Sequence, residues 1–209
     1  MFFMAPAMYI LGIYVLAAVL PAVFLMRYIY RQDQIEPEPP GLLIVLIFSG
    51  VAAALCSIVL EMLAEGVLNL LVDPGSPTYT ILLAFLVVAV VEEGTKLFFL
   101  KRRSWNSPAF NYRFDGVVYA VFVSLGFAVF MGAFYGRARL RFNRGDETGG
   151  AVSMAAGYLI AVFLHGFYDT CAMLGTSAAT AAFVVFVVVM YIVVFRLIRR
   201  ESLEDQPLY

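Results

Sequence analysis

The feature that most constrains this chain is a pair of adjacent carboxylates inside an apolar segment long enough to cross a lipid bilayer. Glu92 and Glu93 lie in the otherwise apolar run 79–100, with Lys96 shortly after them. An ionisable side chain at membrane depth costs from about 2.5 to more than 10 kcal/mol. On a helix, Lys96 shares a face with both glutamates and can neutralise either one. The cluster therefore either locks helices together as an ion pair or holds a reactive carboxylate in a polar cavity.

The composition places the chain in a membrane. Of its 209 residues, 63% are hydrophobic and only 14% are charged, whereas a soluble domain carries about 25% charged residues. The connections between apolar runs are too short for a separate soluble domain, so residues 1–209 are predicted to form one integral membrane domain. No basic patch with interleaved aromatic residues indicates a nucleic acid, so the lipid bilayer is the expected surrounding.

Six apolar runs predict an all-α, polytopic bundle of transmembrane helices. They cover residues 4–28, 41–72, 78–100, 117–135, 151–174 and 178–198. Most are close to the roughly 20 residues that a helix needs to span the apolar core of a bilayer. Glu61 and Glu65 share a face late in the second run and are expected to mark its emergence among the lipid headgroups, although a role in a site stays open.

The basic residues predict an orientation that six crossings do not satisfy. Short cytoplasmic loops are rich in Lys and Arg, so Arg31 and the basic residues 101–103 place the N-terminus outside the cell. If the run 117–135 crossed once, both the arginine-rich loop 137–144 and the C-terminal Arg199 and Arg200 would lie outside. An extra crossing would return both to the cytoplasm. Either this run is re-entrant or a seventh helix is missing there.

A second polar cluster lies in the fifth run. His165 is the single histidine of the chain, and Asp169 follows it by one helical turn. A lone membrane histidine is often a hydrogen-bonded packing residue, but buried polar groups need partners, and Glu92 and Glu93 are natural ones. Together these residues could activate water by general base catalysis. They could also ligate a divalent metal through Glu92, Glu93 and His165, or relay protons in a transporter.

Three segments, in order, resemble a known family. Glu92-Glu93-Gly94-Thr95-Lys96 matches the EExxK motif of the PrsW family of bacterial intramembrane proteases, which are distant relatives of the CAAX prenyl endopeptidases and bacteriocin-processing membrane proteases. Phe114-Asp115-Gly116, followed by Ser124-Leu125-Gly126-Phe127-Ala128, is similar to the next motif of that family. His165-Gly166-Phe167-Tyr168-Asp169 is similar to its closing HxxxD element.

The resemblance implies an activity and a role for each site residue. The expected activity is cleavage of a single-pass membrane protein, typically an anti-sigma factor, in the bacterial plasma membrane. Glu92 and Glu93 would activate water or coordinate a metal such as zinc, and Lys96 would be their charge partner. His165 would polarise the substrate carbonyl or bind the metal, with Asp169 orienting it. A single histidine makes a tight zinc site harder to build, which favours a metal-free glutamate mechanism.

The chain also departs from the family pattern. The family continues, after the Gly-Phe-Ala segment, with a glutamate–asparagine pair, an outer loop and a helix that carries another histidine. Here Phe130 is followed at once by Met131-Gly132-Ala133-Phe134-Tyr135-Gly136-Arg137-Ala138, which resembles the end of that helix. The run 117–135 is therefore predicted to join halves of two helices at Phe130 and Met131. Two alternatives follow for function: a catalytically impaired scaffold or substrate-binding relative, and a small proton-coupled transporter.

Overall fold

The chain folds into a bundle of helices. The computed structural model describes residues 4–125 and 127–209, with the backbone alone at 4–15, 17 and 18. In chain order the elements are α1 (Met4–Gln32), α2 (Pro40–Leu71), α3 (Pro77–Leu82), a π-helical segment (Leu83–Ala89), α4 (Val90–Ser104), α5 (Asp115–Val123), α6 (Ala128–Asn143), α7 (Glu147–Met173) and α8 (Ser177–Leu203). No strand occurs among these residues, which confirms the all-α class.

Three helices in the described part of the chain are long and apolar enough to cross a membrane: α2, α7 and α8. Their apolar side chains stay exposed on the outside of the bundle, as Phe48, Leu70 and Val185 do. Such surfaces are stable when they face lipid, because lipid tails are as apolar as the side chains themselves. The structure thus has the helices of a membrane protein, but it does not confirm six crossing runs.

The third apolar run forms α3, the π-helical segment and α4 without interruption. Its start is defined by Ser76, whose hydroxyl accepts a hydrogen bond from the Tyr79 N–H, and by Pro77 in the first turn. Seven residues then follow the wider π-helical path directly before Glu92 and Glu93, and π-helical turns often occur at functional sites. Gly166 of α7 lies so close to this segment that an added Cβ would meet the Phe85 ring at 2.5 Å.

The fourth apolar run is two helices rather than one. The first of them, α5, ends at Val123 because Ser124 adopts an extended backbone, with φ −156° and ψ 155°. The second, α6, begins at Ala128. The helix break does not coincide with Phe130 and Met131, since both residues lie inside α6. The break falls a few residues earlier, where the backbone hydrogen bonds of a helix stop. Gly126, in that connection, lies outside the described residues.

Glycines show that α5 and α6 fold back on each other as a hairpin. A Cβ added to Gly116 at the start of α5 would lie 2.6 Å from the backbone nitrogen of Gly136 in α6. One added to Gly132 would lie 2.6 Å from the carbonyl oxygen of Gly116. The two backbones thus touch where no side chain fits, a contact that small residues allow. Both outer ends of the hairpin lie at the same end of the bundle.

The C-terminal segment covers that same end. Leu208 donates its N–H to the carbonyl of Asn111 at 2.8 Å, and the Arg113 N–H is donated to the carbonyl of Gln206 at 3.0 Å. Glu201, 1% exposed, forms ion pairs with Arg113 and Arg137. The end of α8 is thereby joined to the loop before α5 and to α6.

We expect Gly116→Ala to destabilise the hairpin. Its Cβ would meet backbone atoms of α6, which cannot move aside as a flexible side chain can, and overpacking of this kind costs about 1–3 kcal/mol. Gly66→Ala in α2 is the matched control, because no atom lies within 4 Å of its Cβ position. Thermal unfolding in detergent micelles should show a lower midpoint for Gly116→Ala only; equal midpoints would contradict the packing of α5 on α6.

Candidate active site

The two glutamates lie in the first turn of α4 and differ in exposure. Glu93 is 2% exposed, whereas the Glu92 side chain is 33% exposed. The Lys96 ammonium donates to Glu92 Oε2 and to Glu93 Oε1, both at 2.8 Å. The sequence allowed Lys96 to neutralise either glutamate, and the structure has it bonded to both at once. The ammonium therefore holds two carboxylates together that would otherwise repel each other.

His165 brings α7 to the same cluster. Its Nδ1 lies 2.9 Å from Glu93 Oε1, and its Nε2 lies 3.3 Å from Asp169 Oδ2. The contact with Asp169 is longer than the usual 2.7–3.2 Å range for an N–H···O bond, so it is the weaker of the two. The structure thus joins the two polar clusters of the sequence through Glu93. Both ring nitrogens of His165 face a carboxylate, and Nε2 is the one more easily freed.

Hydroxyl groups fix the position of α4 against its neighbours. The Tyr158 hydroxyl of α7 donates to the Val90 carbonyl at 3.0 Å. The Thr95 hydroxyl lies 2.7 Å from that of Ser57 in α2, and also reaches the carbonyl of Glu92 at 2.9 Å. These bonds hold the turn that carries the glutamates from both sides, which keeps the carboxylates in register with His165.

Glu61 of α2 also belongs to this region, although its sequence position predicted a place among the headgroups. It lies near enough to Glu92, Lys96 and His165 for direct electrostatic interaction, and its Oε1 is buried without a hydrogen-bond partner among the described residues. Glu65, one turn later, instead accepts a hydrogen bond from the Tyr79 hydroxyl at 3.2 Å. Periodicity could not show this, because α2 is apolar on nearly every face and does not indicate which one meets α4.

The tip of the α5–α6 hairpin reaches His165 from the other side. The Phe127 ring stacks on the imidazole with centroids 5.7 Å apart and an interplanar angle of 29°. Phe127 and Tyr168 also line an apolar cavity of about 420 Å³ between α1, the hairpin and α8. His165 therefore lies between the charged cluster and an apolar cavity.

The donor set fits a divalent metal. Glu92, Glu93 and His165 each offer one ligand atom, and these atoms lie within 4.8 Å of one another. Catalytic metal sites commonly have three protein ligands and one open position. The unpartnered oxygen of Glu61 lies in the same region and adds negative charge that suits a cation. The Lys96 ammonium bonds both carboxylates, so it would have to withdraw as a metal entered.

Glu92, Glu93, Lys96 and His165 form a charged cluster inside a bundle with membrane-length helices, an arrangement that fits an integral membrane enzyme. The family model described as "PrsW family intramembrane metalloprotease" matches residues 38–137 and 127–197. Those ranges cover most of the chain, including every residue of the charged cluster. The chain belongs to the PrsW family of intramembrane metalloproteases, and is thereby a membrane protease.

Several curated proteins named Protease PrsW are similar to the chain. The one from Geobacillus kaustophilus (strain HTA426) is 27% identical, over 73% of this chain and 76% of the relative. The one from Oceanobacillus iheyensis is 24% identical, over 89% of this chain and 94% of the relative. The one from Clostridioides difficile (strain 630) is 32% identical, over 54% and 46%. No solved structure matches the chain significantly.

The longer alignments include positions of the relatives that have no counterpart in this chain. The first covers 186 positions, but 73% of 209 residues is only about 153, so about 33 positions have no residue of this chain. The second covers 217 positions with about 186 residues, which leaves about 31. The two ranges matched by the family model overlap at 127–137, in the first half of α6. Both observations support a missing segment, long enough for one helix of about 20 residues and its loop.

We expect Lys96→Met to destabilise the protein strongly, because it leaves two carboxylates in the bundle without their shared ammonium. Breaking a buried ion pair by removing one partner costs about 3–5 kcal/mol, and partial exposure of Lys96 places the loss near the lower figure. The double variant Glu93→Gln/Lys96→Met should recover part of the loss in a thermal unfolding experiment. Arg102→Met, at an exposed position of the same helix, is the control. Equal stability of Lys96→Met and wild type would show that the cluster does not form.

Proposed function

We propose that the chain is an intramembrane endopeptidase that hydrolyses a single-pass membrane protein in the bacterial plasma membrane. The observation that carries this proposal is the 2.9 Å contact between Glu93 and His165, beside the more accessible Glu92. Amide hydrolysis needs a base to activate water and a group that stabilises the charge developing on the carbonyl oxygen. Both kinds of group lie within this cluster. By resemblance to the family, the substrate is an anti-sigma factor.

Glu92 is the better candidate to activate water. A third of its side chain is exposed, so a water molecule can reach its carboxylate, whereas Glu93 is almost completely enclosed. Glu93 instead bonds both Lys96 and His165 and acts as a positioning residue. From the sequence alone both glutamates have the same predicted role, and their exposure separates them.

His165 is placed to face the substrate carbonyl through Nε2. Asp169 holds that nitrogen only at 3.3 Å, so the ring can exchange this contact for a stronger one to a carbonyl oxygen or a developing oxyanion. Nδ1 stays on Glu93, which fixes the ring plane. Asp169 therefore orients His165, as the family resemblance implies, only until the substrate carbonyl takes its place.

The family's description as metalloproteases supports a metal-dependent reaction over the metal-free mechanism expected from a single histidine. In a metal-dependent reaction, Glu92, Glu93 and His165 would hold the ion instead of taking the metal-free roles described above. A divalent metal such as zinc would supply Lewis acidity toward water and the scissile carbonyl. These ligands would hold the ion between α4 and α7. Lys96 would balance the negative charge of the site when the ion is absent.

The hairpin suggests how the chain is oriented. Because α5 and α6 return to the same end of the bundle, we infer that they are re-entrant. The basic residues 101–103 and 137–144 then both face the cytoplasm, as the positive-inside rule requires. The N-terminus lies outside and the C-terminus inside, with α1, α2, the α3–α4 helix, α7 and α8 as the crossing segments.

Cysteine labelling tests this topology. In a variant without Cys56 and Cys171, a membrane-impermeant maleimide applied to intact cells should label Gly75→Cys, between α2 and α3. It should not label Ser107→Cys or Asn143→Cys until the membrane is permeabilised. Labelling of Asn143→Cys from outside, with Ser107→Cys still protected, would show that the run 117–135 crosses the membrane.

Cleavage by matched variants tests the peptidase proposal. Co-expression with tagged single-pass membrane proteins, anti-sigma factors among them, should give a shortened product with wild type. Loss of a general acid or base lowers rates by about 10²–10⁴-fold, so Glu92→Gln, Glu93→Gln and His165→Ala should each abolish the product on an immunoblot. Glu204→Gln, an exposed carboxylate at the cytoplasmic end, should cleave as wild type does. Equal product from Glu92→Gln and wild type would contradict the role proposed for Glu92.

A second candidate function is a substrate-binding member of the family with little activity. It is favoured by the predicted missing segment and by Phe127, whose ring covers one face of His165. In that case wild type would retain a single-pass partner on affinity purification without shortening it. Glu92→Gln would then retain the same partner equally well.

A further inference from the structure

A second group of buried acids lies away from the proposed active site. Asp33 directly follows α1, Glu38 lies just before α2, and Asp115 is the first residue of α5. Their exposures are 5%, 2% and 0%. All three are at the end of the bundle that carries the basic residues 101–103. Asp115 belongs to the Phe-Asp-Gly motif, to which the proposed peptidase mechanism gives no role.

The three carboxylates converge. One oxygen from each lies within 4.8 Å of the other two. Hydrogen bonds hold two of them in place: the Tyr119 hydroxyl donates to Glu38 Oε2 at 2.5 Å, and Asp115 Oδ2 accepts the N–H groups of Asn111 and Tyr112 at 3.0 and 2.7 Å. The group is therefore built from two separate parts of the chain, the α1–α2 connection and the start of α5, and is fixed by neighbours that are not themselves acidic.

Two oxygens in this group have no donor. Asp33 Oδ2 and Asp115 Oδ1 are buried and accept no hydrogen bond from any described residue. No ion pair joins Asp33, Glu38 or Asp115 to a basic side chain within the described ranges. The nearby Glu201, by contrast, has both Arg113 and Arg137. Buried acids in proteins are paired with a base, coordinate a metal or take up a proton. With no basic partner here, the group holds either a proton shared between Glu38 and Asp115 or a metal cation.

We propose that Asp33, Glu38 and Asp115 bind a hard divalent cation of the magnesium and calcium class. Carboxylate oxygens without nitrogen or sulfur ligands are the donors that Mg²⁺, Ca²⁺ and Mn²⁺ prefer. When a cation displaces the shared proton, the three carboxylates carry more negative charge than one such ion balances, which favours tight binding over a loosely held counter-ion. The bound ion joins the α1–α2 connection to the base of the α5–α6 hairpin, whose tip carries Phe127 to His165.

The proposal is tested on the purified full-length chain in detergent with Glu92→Gln and Glu93→Gln already present, so that the proposed active site cannot hold a metal. After removal of metals with a chelator, Mn²⁺ alone is added and its bound fraction is followed by electron paramagnetic resonance. We expect one equivalent of Mn²⁺ to bind and Mg²⁺ or Ca²⁺ to displace it. Adding Asp33→Asn should weaken binding by tenfold or more, while the exposed Glu36→Gln should leave it unchanged.

Thermal unfolding supplies a second measurement if binding is altered by misfolding. Ligands that bind only the folded state raise its stability, so each cation should raise the unfolding midpoint of the parent but not of Asp33→Asn or Asp115→Asn. Without cations, Asp33→Asn should be at least as stable as the parent, because it removes repulsion between acids. Absence of Mn²⁺ binding by the parent, or equal binding by a folded Asp33→Asn variant, would overturn the proposal.

Discussion

The interaction on which the rest of this structure depends is the burial of the Glu93 carboxylate between the Lys96 ammonium and the His165 imidazole. A carboxylate this deeply enclosed is stable only when charged or hydrogen-bonding partners surround it. Lys96 lies on the same helix, but His165 comes from α7, so burial of Glu93 requires α4 and α7 to meet at one depth. Three further features hold α4 and α7 together at this depth: the π-helical segment, the Phe85–Gly166 contact and the Tyr158 hydrogen bond.

Much of the proposed active site could be predicted from the sequence, because a charged side chain in an apolar run has few stable environments. The cost of burying Glu92 and Glu93 predicted partners, and the only histidine lay one helical turn from a carboxylate. The contact between Glu93 and His165 itself could not be predicted, since no residue pattern shows which faces of two apolar helices meet. The same lack of polarity hid the place of Glu61. Asp33, Glu38 and Asp115 could not be joined from the sequence, because they lie in two distant parts of the chain.

The α5–α6 hairpin agrees with the charge pattern of the sequence, but the break between its helices does not fall at Phe130 and Met131. Because basic loops flank the run 117–135 on both sides, the chain must leave this region on the side of the membrane where it entered. A hairpin meets this requirement as well as an extra membrane-spanning helix does. The sequence pointed to Phe130 and Met131 because Met131 begins a family-like motif, whereas α5 ends where the backbone becomes extended at Ser124. Two alignments with relatives contain about thirty positions without a residue of this chain. In this chain the hairpin tip with Phe127 lies against the histidine.

The most direct test of the Glu93–His165 contact uses the fact that the chain has one histidine. Nitrogen-15 NMR of histidine-labelled protein, in lipid bilayers and free of metal, gives one pair of ring signals. The structure predicts that Glu93→Gln shifts the Nδ1 signal and Asp169→Asn shifts the Nε2 signal, while Glu65→Gln changes neither. An Nδ1 signal that stays the same in Glu93→Gln would show that α4 and α7 do not meet there, and the proposed active site would not exist.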